Sequence, residues 1–399
     1  MDAATVREQC RALNEQMVSW RRELHRIPEI GIDLPDTEAF VRARLEELGV
    51  GVQQDYDGIG VVALVEGTAG SGPVLAVRAD MDALEVEEAT GVDYCSTRPG
   101  RMHACGHDAH TAMALGAVEF LHRHRSELAG TVKFIFQPGE ESMDGARRMI
   151  EAGVMEGPHV DAVIGLHIGG IWDEPGVGKV GVSSRAIMAA ADAFNFSMTA
   201  TGSHGAYPHQ SPDPVLAASS AIVQLHTLVS RTIDPTATAV ITVGRIEGGQ
   251  ARNIIPTEVS ARGTVRTLDE GVRDHLRERI GQVIAGAAVA HGCGHGYEYF
   301  LGAPRVQGND EVCALVRQAA TEVLGDAEVL EIAKPTLGGE DVSLFMERAP
   351  GCYFGLGGSN PERGIHSIHH NPAFQIDEDV LWRGAAVFCA SAVRYLATG

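Results

Sequence analysis

Apolar and polar positions alternate along the chain in two rhythms, that of an α-helix and that of a β-strand. Helical spacing predicts one amphipathic helix over Thr5–His25, which Pro28 ends. Up to about residue 185, helices then alternate with short apolar strands. The predicted elements are helices at Asp36–Leu48, Ala109–Leu121 and Asp144–Ala152, and strands at Val61–Glu66, Val74–Arg78, Thr131–Glu141 and Asp161–His167. This alternation indicates an α/β fold, a mostly parallel sheet sandwiched by helices.

The rhythm changes near Ser183 and is strand, helix, strand, strand, helix, strand until about residue 302. The predicted elements are Ala193–Thr201, Pro214–Ser230, Ala239–Ile246, Glu258–Thr267, Asp269–His291 and Gly296–Phe300. This order predicts an inserted ferredoxin-like α+β domain. The predicted domains are therefore residues 1–185 and 303–399 for the two parts of the α/β domain, and 186–302 for the insertion.

The α/β rhythm returns after Asn309. The predicted elements are helices at Asp310–Leu324 and Asp377–Tyr395, strands at Glu328–Ala333 and Gly351–Gly358, and a helix that opens at Thr336–Ser343. The chain of 399 residues is long enough for two domains with full cores.

Composition narrows the class of protein. The net charge of −21 argues against nucleic acid and against anionic membrane surfaces as partners. The first twenty residues lack the apolar core of a signal peptide, and no run reaches the length of about 18 apolar residues that a spanning helix needs. The seven scattered cysteines indicate free thiols and a cytoplasmic protein.

The densest candidate chemistry lies in Arg101–Thr111, which holds three histidines, one cysteine and one aspartate. Cys105 and His107 flank a glycine, and side chains two apart share a side only on an extended or turning backbone. Asp108 is the expected N-cap of the following helix. Thiolate with imidazole suits zinc or a similar first-row metal. A buried thiol beside a satisfied histidine is the structural alternative.

Further polar groups follow the predicted strands. Asp80 and Asp82 follow one strand, Glu140 and Glu141 end another, and His167 ends a third. Ligands collect at the carboxyl ends of strands in open α/β sheets, and a glutamate pair can supply one metal ligand and one proton carrier. The alternatives are a solvated acidic turn for the glutamates, a cap for Asp80 and a structural role for His167.

Several ordered motifs together resemble the dinuclear-metal amidohydrolases that include aminoacylases, hippurate hydrolases and plant auxin–amino acid conjugate hydrolases. The resemblance covers nearly the whole chain. The motifs are Arg-Ala-Asp-Met-Asp-Ala-Leu from Arg78, Met-His-Ala-Cys-Gly-His-Asp from Met102, Phe-Gln-Pro-Gly-Glu-Glu from Phe136, Ser-His-Gly-Ala-Tyr-Pro-His from Ser203, Gly-Gly-Glu-Asp from Gly338 and His-Asn-Pro-Ala-Phe from His370.

The resemblance implies two divalent metal ions per subunit, of zinc, manganese or cobalt. It implies the metal ligands Cys105, His107, Glu141, His167 and His370. His370 is preferred because the family's histidine lies two residues before the proline, with His366 and His369 as alternatives.

The resemblance also implies that Glu140 is the general base. His204 would polarise the scissile carbonyl, across a dimer interface, and Asn253 would help to hold the substrate's carboxylate. On spacing alone, turn chemistry is the alternative for His204 and Asn253.

The implied activity is hydrolysis of an N-acyl amino acid, related amide or dipeptide to a carboxylate and a free amino acid. The implied assembly is a homodimer or larger, with the insertion as a lid and dimerisation domain. Two other hypotheses are a metal-independent amidase with Cys105 as nucleophile and His107 as base, and a non-catalytic small-molecule binding protein.

Overall fold

The computed structural model describes residues 1–53, 56–173 and 175–398. The chain forms two compact units. The larger unit comprises Met1–Ile187, Val306–Thr336 and Asp341–Gly399, and the smaller unit comprises Met188–Arg305 and Leu337–Glu340. The predicted domains 1–185 and 303–399 include positions 54, 55, 174 and 399, which lie outside the described residues.

Ten α-helices lie within the described residues. They are α1 (Ala3–Ala12), α2 (Asn14–His25), α3 (Pro35–Glu47), α4 (His107–Arg123), α5 (Gly145–Glu151), α6 (Pro214–Thr232), α7 (Glu270–His291), α8 (Asp310–Leu324), α9 (Val342–Met346) and α10 (Leu381–Leu396).

The strands of the same residues are β1 (Val52–Gln53), β2 (Val61–Glu66), β3 (Gly70–Asp80), β4 (Ala129–Gln137), β5 (Ala162–Gly169), β6 (Val180–Val182), β7 (Ala186–Met188), β8 (Ala190–Thr199), β9 (Ser203–His204), β10 (Ala239–Gly248), β11 (Ile254–Ile255), β12 (Glu258–Thr267), β13 (Gly294–Phe300), β14 (Val306–Gln307), β15 (Val329–Glu331) and β16 (Gly351–Gly357). Several short strands, among them β1, β6 and β9, were not predicted because two or three residues carry no readable period.

An eight-stranded sheet organises the larger unit, in the order β1-β2-β4-β3-β5-β16-β6-β15. Its four central strands, β4, β3, β5 and β16, run parallel, whereas β2 and β6 run antiparallel to the strands beside them in the centre. The carboxyl ends of the central strands therefore meet at one edge of the sheet. The predicted mostly parallel sheet is confirmed.

Apolar side chains cover both faces of this sheet. On β2, the buried Val61 and Ala63 belong to one core, which also holds residues of α1, α2, α4, α8 and α10. Val62, between them, belongs to a second core with residues of α5 and α9. Successive residues of a strand face opposite sides, so the sheet is sandwiched by helices as predicted.

The smaller unit has a four-stranded antiparallel sheet in the order β10-β12-β8-β13. Its apolar core lies between this sheet and the helices α6 and α7. In chain order the elements are β8, α6, β10, β12, α7 and β13, which is the predicted ferredoxin-like arrangement.

One predicted helix is interrupted, and one predicted strand ends early. The predicted helix Thr5–His25 is interrupted at Leu13, whose N–H is shared between the carbonyls of Gln9 and Cys10 at 3.2 and 3.1 Å. The strand predicted to run to Glu141 ends at Gln137, because Pro138 and the left-handed Gly139 (φ 68°) turn the chain. The glutamate pair thus lies on a turn after the strand.

Among the described residues, no helix combines the length and apolar character that crossing a bilayer requires. All seven cysteines are free thiols.

Candidate metal centre

The predicted site residues of the larger unit gather at the carboxyl edge of its sheet. β3 ends at Asp80, the turn after β4 carries Glu140 and Glu141, and β5 carries His167 near its end. Parallel strands bring these positions together although they are far apart in sequence.

Gly106, whose backbone is in the left-handed conformation, sets the turn that carries Cys105 and His107. Gly106 has φ 92° and is the N-cap of α4, whose first residue is His107. A Cβ on Gly106 would lie 2.9 Å from Cγ2 of Ile168, so only glycine fits this turn. The prediction that Asp108 caps the helix is wrong. Asp108 lies inside the first turn, where its carboxylate binds Arg21 at 2.7 Å.

The predicted ligands fall into overlapping groups whose ligand atoms lie within 4.8 Å of one another. The groups are Cys105, His107 and His167; Cys105, Glu141 and His370; and His107, Glu140 and Glu141. Cys105 Sγ lies 3.5 Å from His167 Nε2, and Glu141 Oε1 lies 3.3 Å from His370 Nε2. Metal–ligand bonds of about 2.0–2.3 Å place neighbouring ligand atoms roughly 3–4 Å apart, so this spacing suits metal ions. Cys105 belongs to two groups, and the edge of the sheet can therefore hold two ions.

The surroundings of His107 fit a cation. Its Nδ1 donates to the carbonyl of Asp82 at 2.9 Å, so the neutral ring has its lone pair on Nε2. Nε2 is buried, has no hydrogen-bond partner among the described residues, and lies 3.7, 3.8 and 4.0 Å from carboxylate oxygens of Asp80, Glu140 and Glu141. A buried lone pair that faces carboxylates is repelled by them, and a divalent metal ion bound between these groups would relieve that repulsion.

The pKa shifts reflect this concentration of charge. Burial, together with the charges of Glu141 and Glu140, raises the pKa of the Cys105 thiol well above its ordinary value. Burial alone would lower the pKa of His107, but the charge of Asp80 and the hydrogen bond to Asp82 outweigh it and raise the pKa well above the ordinary range. A bound cation reverses this balance, since it favours thiolate and neutral imidazole.

Three histidines were open candidates for the late ligand. His370 joins the Cys105–Glu141 group. His369 is half-buried and its Nδ1 lies 3.5 Å from Cys105 Sγ, whereas His366 belongs to none of the groups among the described residues. His369 and His370 are therefore both near the thiol.

Asp82 is a site residue that sequence reasoning left out of the set. Its carboxylate accepts the main-chain N–H groups of Glu140 at 3.0 Å and Glu141 at 3.1 Å. It therefore fixes the glutamate turn and, through its carbonyl, the ring of His107. Its position beside Asp80 in the motif from Arg78 was the available signal.

Asp80 is held by charge rather than by a cap. Arg78 donates to it at 2.7 Å and to Asp341 at 2.9 Å, all buried, and His110 contacts its other oxygen at 2.6 Å. The alternative of a turn or helix cap for Asp80 is therefore wrong.

In the smaller unit, a two-stranded antiparallel sheet of β9 and β11 brings His204 and Asn253 together. His204 pairs with Ile254, and the N–H of Gly205 donates to the carbonyl of Asn253 at 2.7 Å. The N–H of Ala206 donates to His204 Nδ1 at 3.0 Å, so the neutral ring carries its proton on Nε2. His204 and Asn253 line the same cavity of about 720 Å³.

The chain is similar to curated hydrolases along nearly its whole length. It is 38% identical over 402 residues to the N-acetyl-L-cysteine deacetylase of Bacillus subtilis, covering 99% of this chain and 93% of the relative. It is 38% identical over 384 residues to the IAA-amino acid hydrolase ILR1-like 4 of Arabidopsis thaliana, covering 95% of this chain and 86% of the relative.

A solved structure agrees with these relatives. The YXEP protein of Bacillus subtilis, described as a dinuclear metal binding peptidase from the M20 family, superposes with a TM-score of 0.83 at 33% identity, covering 97% of this chain and 99% of that one. Residues 76–394 match the family described as peptidase family M20/M25/M40. With its sheet edge rich in ligand atoms and its relatives named as hydrolases, the chain belongs to the M20/M25/M40 peptidase family.

Proposed function

We propose that the protein is a metal-dependent amidohydrolase that cleaves the amide bond of N-acyl amino acids or related small amides and dipeptides. The products are a carboxylate and a free amino acid. The observation that carries this proposal is the pair of ligand groups sharing Cys105, with Glu140 beside them. The names of the relatives, a deacetylase and an IAA-amino acid hydrolase, support the same class of substrate.

Two divalent cations, of zinc, manganese or cobalt, would be held by Cys105, His107, Glu141, His167 and His370. When bound, such ions lower the pKa of water and polarise a carbonyl. We prefer His370 to His369 because its Nε2 lies beside Glu141 Oε1. The Cys105–Glu141–His370 group supports that choice.

Glu140 is the proposed proton carrier. It is buried, and the hydrogen bond from its N–H to Asp82 fixes the backbone that carries it. Glu140 takes a proton from the attacking water and delivers it to the leaving nitrogen, which would otherwise depart as an unstable amide anion. A carboxylate next to cations remains ionised and ready to accept that proton.

His204 and Asn253 are the proposed substrate-binding residues of the smaller unit. His204 carries its proton on Nε2 because Nδ1 is occupied by the Ala206 amide, so Nε2 can donate to the carbonyl oxygen as negative charge develops there. The side-chain amide of Asn253 can donate to the carboxylate of the amino acid.

We further propose that residues 186–302 act as a lid and dimerisation domain in a cytoplasmic homodimer. The edge strand β10 exposes Val240 and Ile246, and an exposed edge strand can pair with a copy of itself. The seven free thiols are compatible with a reducing compartment.

The metal-independent alternative needs a Cys105 thiolate without a cation. Burial and the charges of Glu141 and Glu140 oppose that form, because they raise the pKa of the thiol. The proposal therefore favours the metal route. Activity that survives complete removal of metal would restore the thiol route.

The test is a panel of N-acetyl, N-benzoyl and indole-acetyl amino acids, assayed with metal-free protein and after addition of manganese, zinc or cobalt. We expect hydrolysis only with metal, and about two ions bound per chain. Absence of stoichiometric metal binding, or of turnover across the panel with every metal, would contradict the proposed function.

A further inference from the structure

His110 is a buried histidine of the metal-binding stretch that the proposed reaction does not use. It lies on α4, one turn after His107, and is 1% exposed. Its ring centroid lies 5.5 Å from that of His107 and 4.9 Å from that of His167. It therefore packs against the imidazoles of two proposed ligands.

Both ring nitrogens of His110 are already committed. Nε2 lies 2.9 Å from the main-chain nitrogen of Ile168, and because an amide N–H only donates, Nε2 is the acceptor. Nδ1 lies 2.6 Å from Asp80 Oδ1, and it carries the proton that it donates there. His110 thus has no lone pair left for a cation, although Asp80, His107 and His110 are close enough together to form a metal group.

The hydrogen bond between Ile168 and His110 replaces one that a neighbouring strand would otherwise make to β5. β3 pairs with β5 only from Leu75–Ala162 to Arg78–Gly165, whereas β16 pairs with the other side of β5 as far as Gly169. The end of β5 therefore projects past its neighbour on the β3 side. There the N–H of Ile168 donates to an imidazole instead of a strand carbonyl.

The same segment of β5 orients His167. Nδ1 of His167 donates to the carbonyl of Ile168 at 2.9 Å, which turns Nε2 toward Cys105 Sγ at 3.5 Å. Holding the Ile168 backbone therefore holds the direction of the His167 ring.

We propose that His110 is a positioning residue, which clamps the end of β5 so that His167 presents Nε2 to the metal. The Asp80 carboxylate that binds His110 is itself fixed within the sheet. It accepts a hydrogen bond from Arg78 at 2.7 Å, and Arg78 also donates to the side chain of Gln137 at 2.7 Å. This inference rests on the proposed function, in which His167 is a ligand. Partners that orient metal-binding histidines are commonly worth about 10–100-fold in metal affinity.

Two substitutions of similar size separate the two bonds of His110. In His110→Gln, the longer side chain brings an amide oxygen to the place of Nε2 and keeps an acceptor for Ile168. In His110→Asn, the shorter side chain keeps a donor near the place of Nδ1 for Asp80 but cannot reach Ile168.

The measurement is the zinc affinity of metal-free protein, by competition with a chelating dye, with circular dichroism and thermal unfolding to verify the fold. We expect His110→Asn to bind zinc about 10–100-fold more weakly and His110→Gln to remain within about threefold of the unsubstituted protein. Unchanged affinity in His110→Asn, or equal losses in both variants, would overturn the inference. Failure of the unsubstituted protein to bind zinc would overturn the proposed function instead.

A second measurement uses the unsubstituted protein, so its result does not depend on whether the variants fold. In protein loaded with ¹¹³Cd and labelled with ¹⁵N-histidine, we expect cadmium–nitrogen coupling at His107 and His167. We expect none at His110, with the proton of its ring on Nδ1. Coupling at His110, or a proton on its Nε2, would overturn the inference.

Discussion

The carboxylate of Asp82 accepts the main-chain N–H of Glu140 at 3.0 Å. Its other oxygen accepts the next N–H, that of Glu141, at 3.1 Å, and its carbonyl accepts Nδ1 of His107. One buried aspartate therefore fixes the proposed proton carrier and two proposed metal ligands at once. Its two carboxylate oxygens are needed together, because two adjacent amides donate to it.

Replacement of Asp82 by asparagine should damage metal binding and turnover. Asparagine presents one oxygen and one NH₂ group, so one of the two buried amides loses its acceptor, at a cost of about 1–3 kcal/mol. We expect zinc affinity or turnover to fall by roughly 10–100-fold. The control is Asp161→Asn, because Asp161 is exposed and also accepts a main-chain N–H, that of Val74 at 2.8 Å. Losses of equal size in both variants would contradict the assignment.

Glu140→Gln should separate catalysis from metal binding. Glutamine keeps the size of the side chain but cannot carry the proton, so we expect the rate to fall by about 10²–10⁴-fold with the bound metal unchanged. Turnover and metal content are measured on the same samples. Glu156→Gln, on an exposed glutamate, is the control. Full activity in Glu140→Gln would remove the residue from the mechanism.

His204→Ala should lower turnover while metal content stays the same. The loss of one donor to a developing oxyanion typically costs about 10²–10³-fold in rate. His209→Ala serves as the control, since His209 is exposed on the same loop. If His204→Ala instead binds less metal, His204 is a ligand and its proposed role is wrong.

Protonation of Glu88 should lower the stability of the folded protein in acid. Burial alone would raise the pKa of Glu88, but hydrogen bonds from His25, Ser96 and Thr90 outweigh it and lower the pKa from 4.5 to about 2. A carboxyl with a lower pKa in the folded state stabilises the fold fully above about pH 4.5 and loses that contribution as the pH falls toward 2.

Urea unfolding of metal-free protein between pH 6 and 2 tests this. We expect Glu88→Gln to be less stable than the unsubstituted protein at pH 6, with the difference shrinking toward pH 2. Glu87→Gln, on the exposed neighbouring glutamate, is the control. A stability difference that does not change with pH would contradict the assigned role of Glu88.

Much of the fold was predictable because its signals are local. Alternation of strands and helices predicted the sandwiched sheet, and a run of six elements predicted the ferredoxin-like insertion. The ends of elements were less predictable. Asp108 has the residue type of an N-cap, yet Arg21 and His25 of α2 bind its carboxylate at 2.7 and 2.8 Å, and those are tertiary contacts.

The candidate site also has a part that the sequence predicted and a part that it did not. The five predicted ligands are residue types that motifs and strand ends reveal, and the structure brings them into overlapping groups. Asp82 was noted at a strand end without a role, and His110 was given none, because their partners include main-chain N–H groups, of Glu140 and Ile168. Every residue except proline carries the same main-chain N–H, so the residue types do not show which of these groups a side chain will bind.

The ribosome delivers Cys105 and Glu141 well before His370, because the main segment of the smaller unit, Met188–Arg305, lies between them in the sequence. A nascent chain paused within that segment carries the shared thiol without its last imidazole partner. With the proposed ligands, the set that would hold two ions is therefore complete only after residue 370 has emerged from the ribosome.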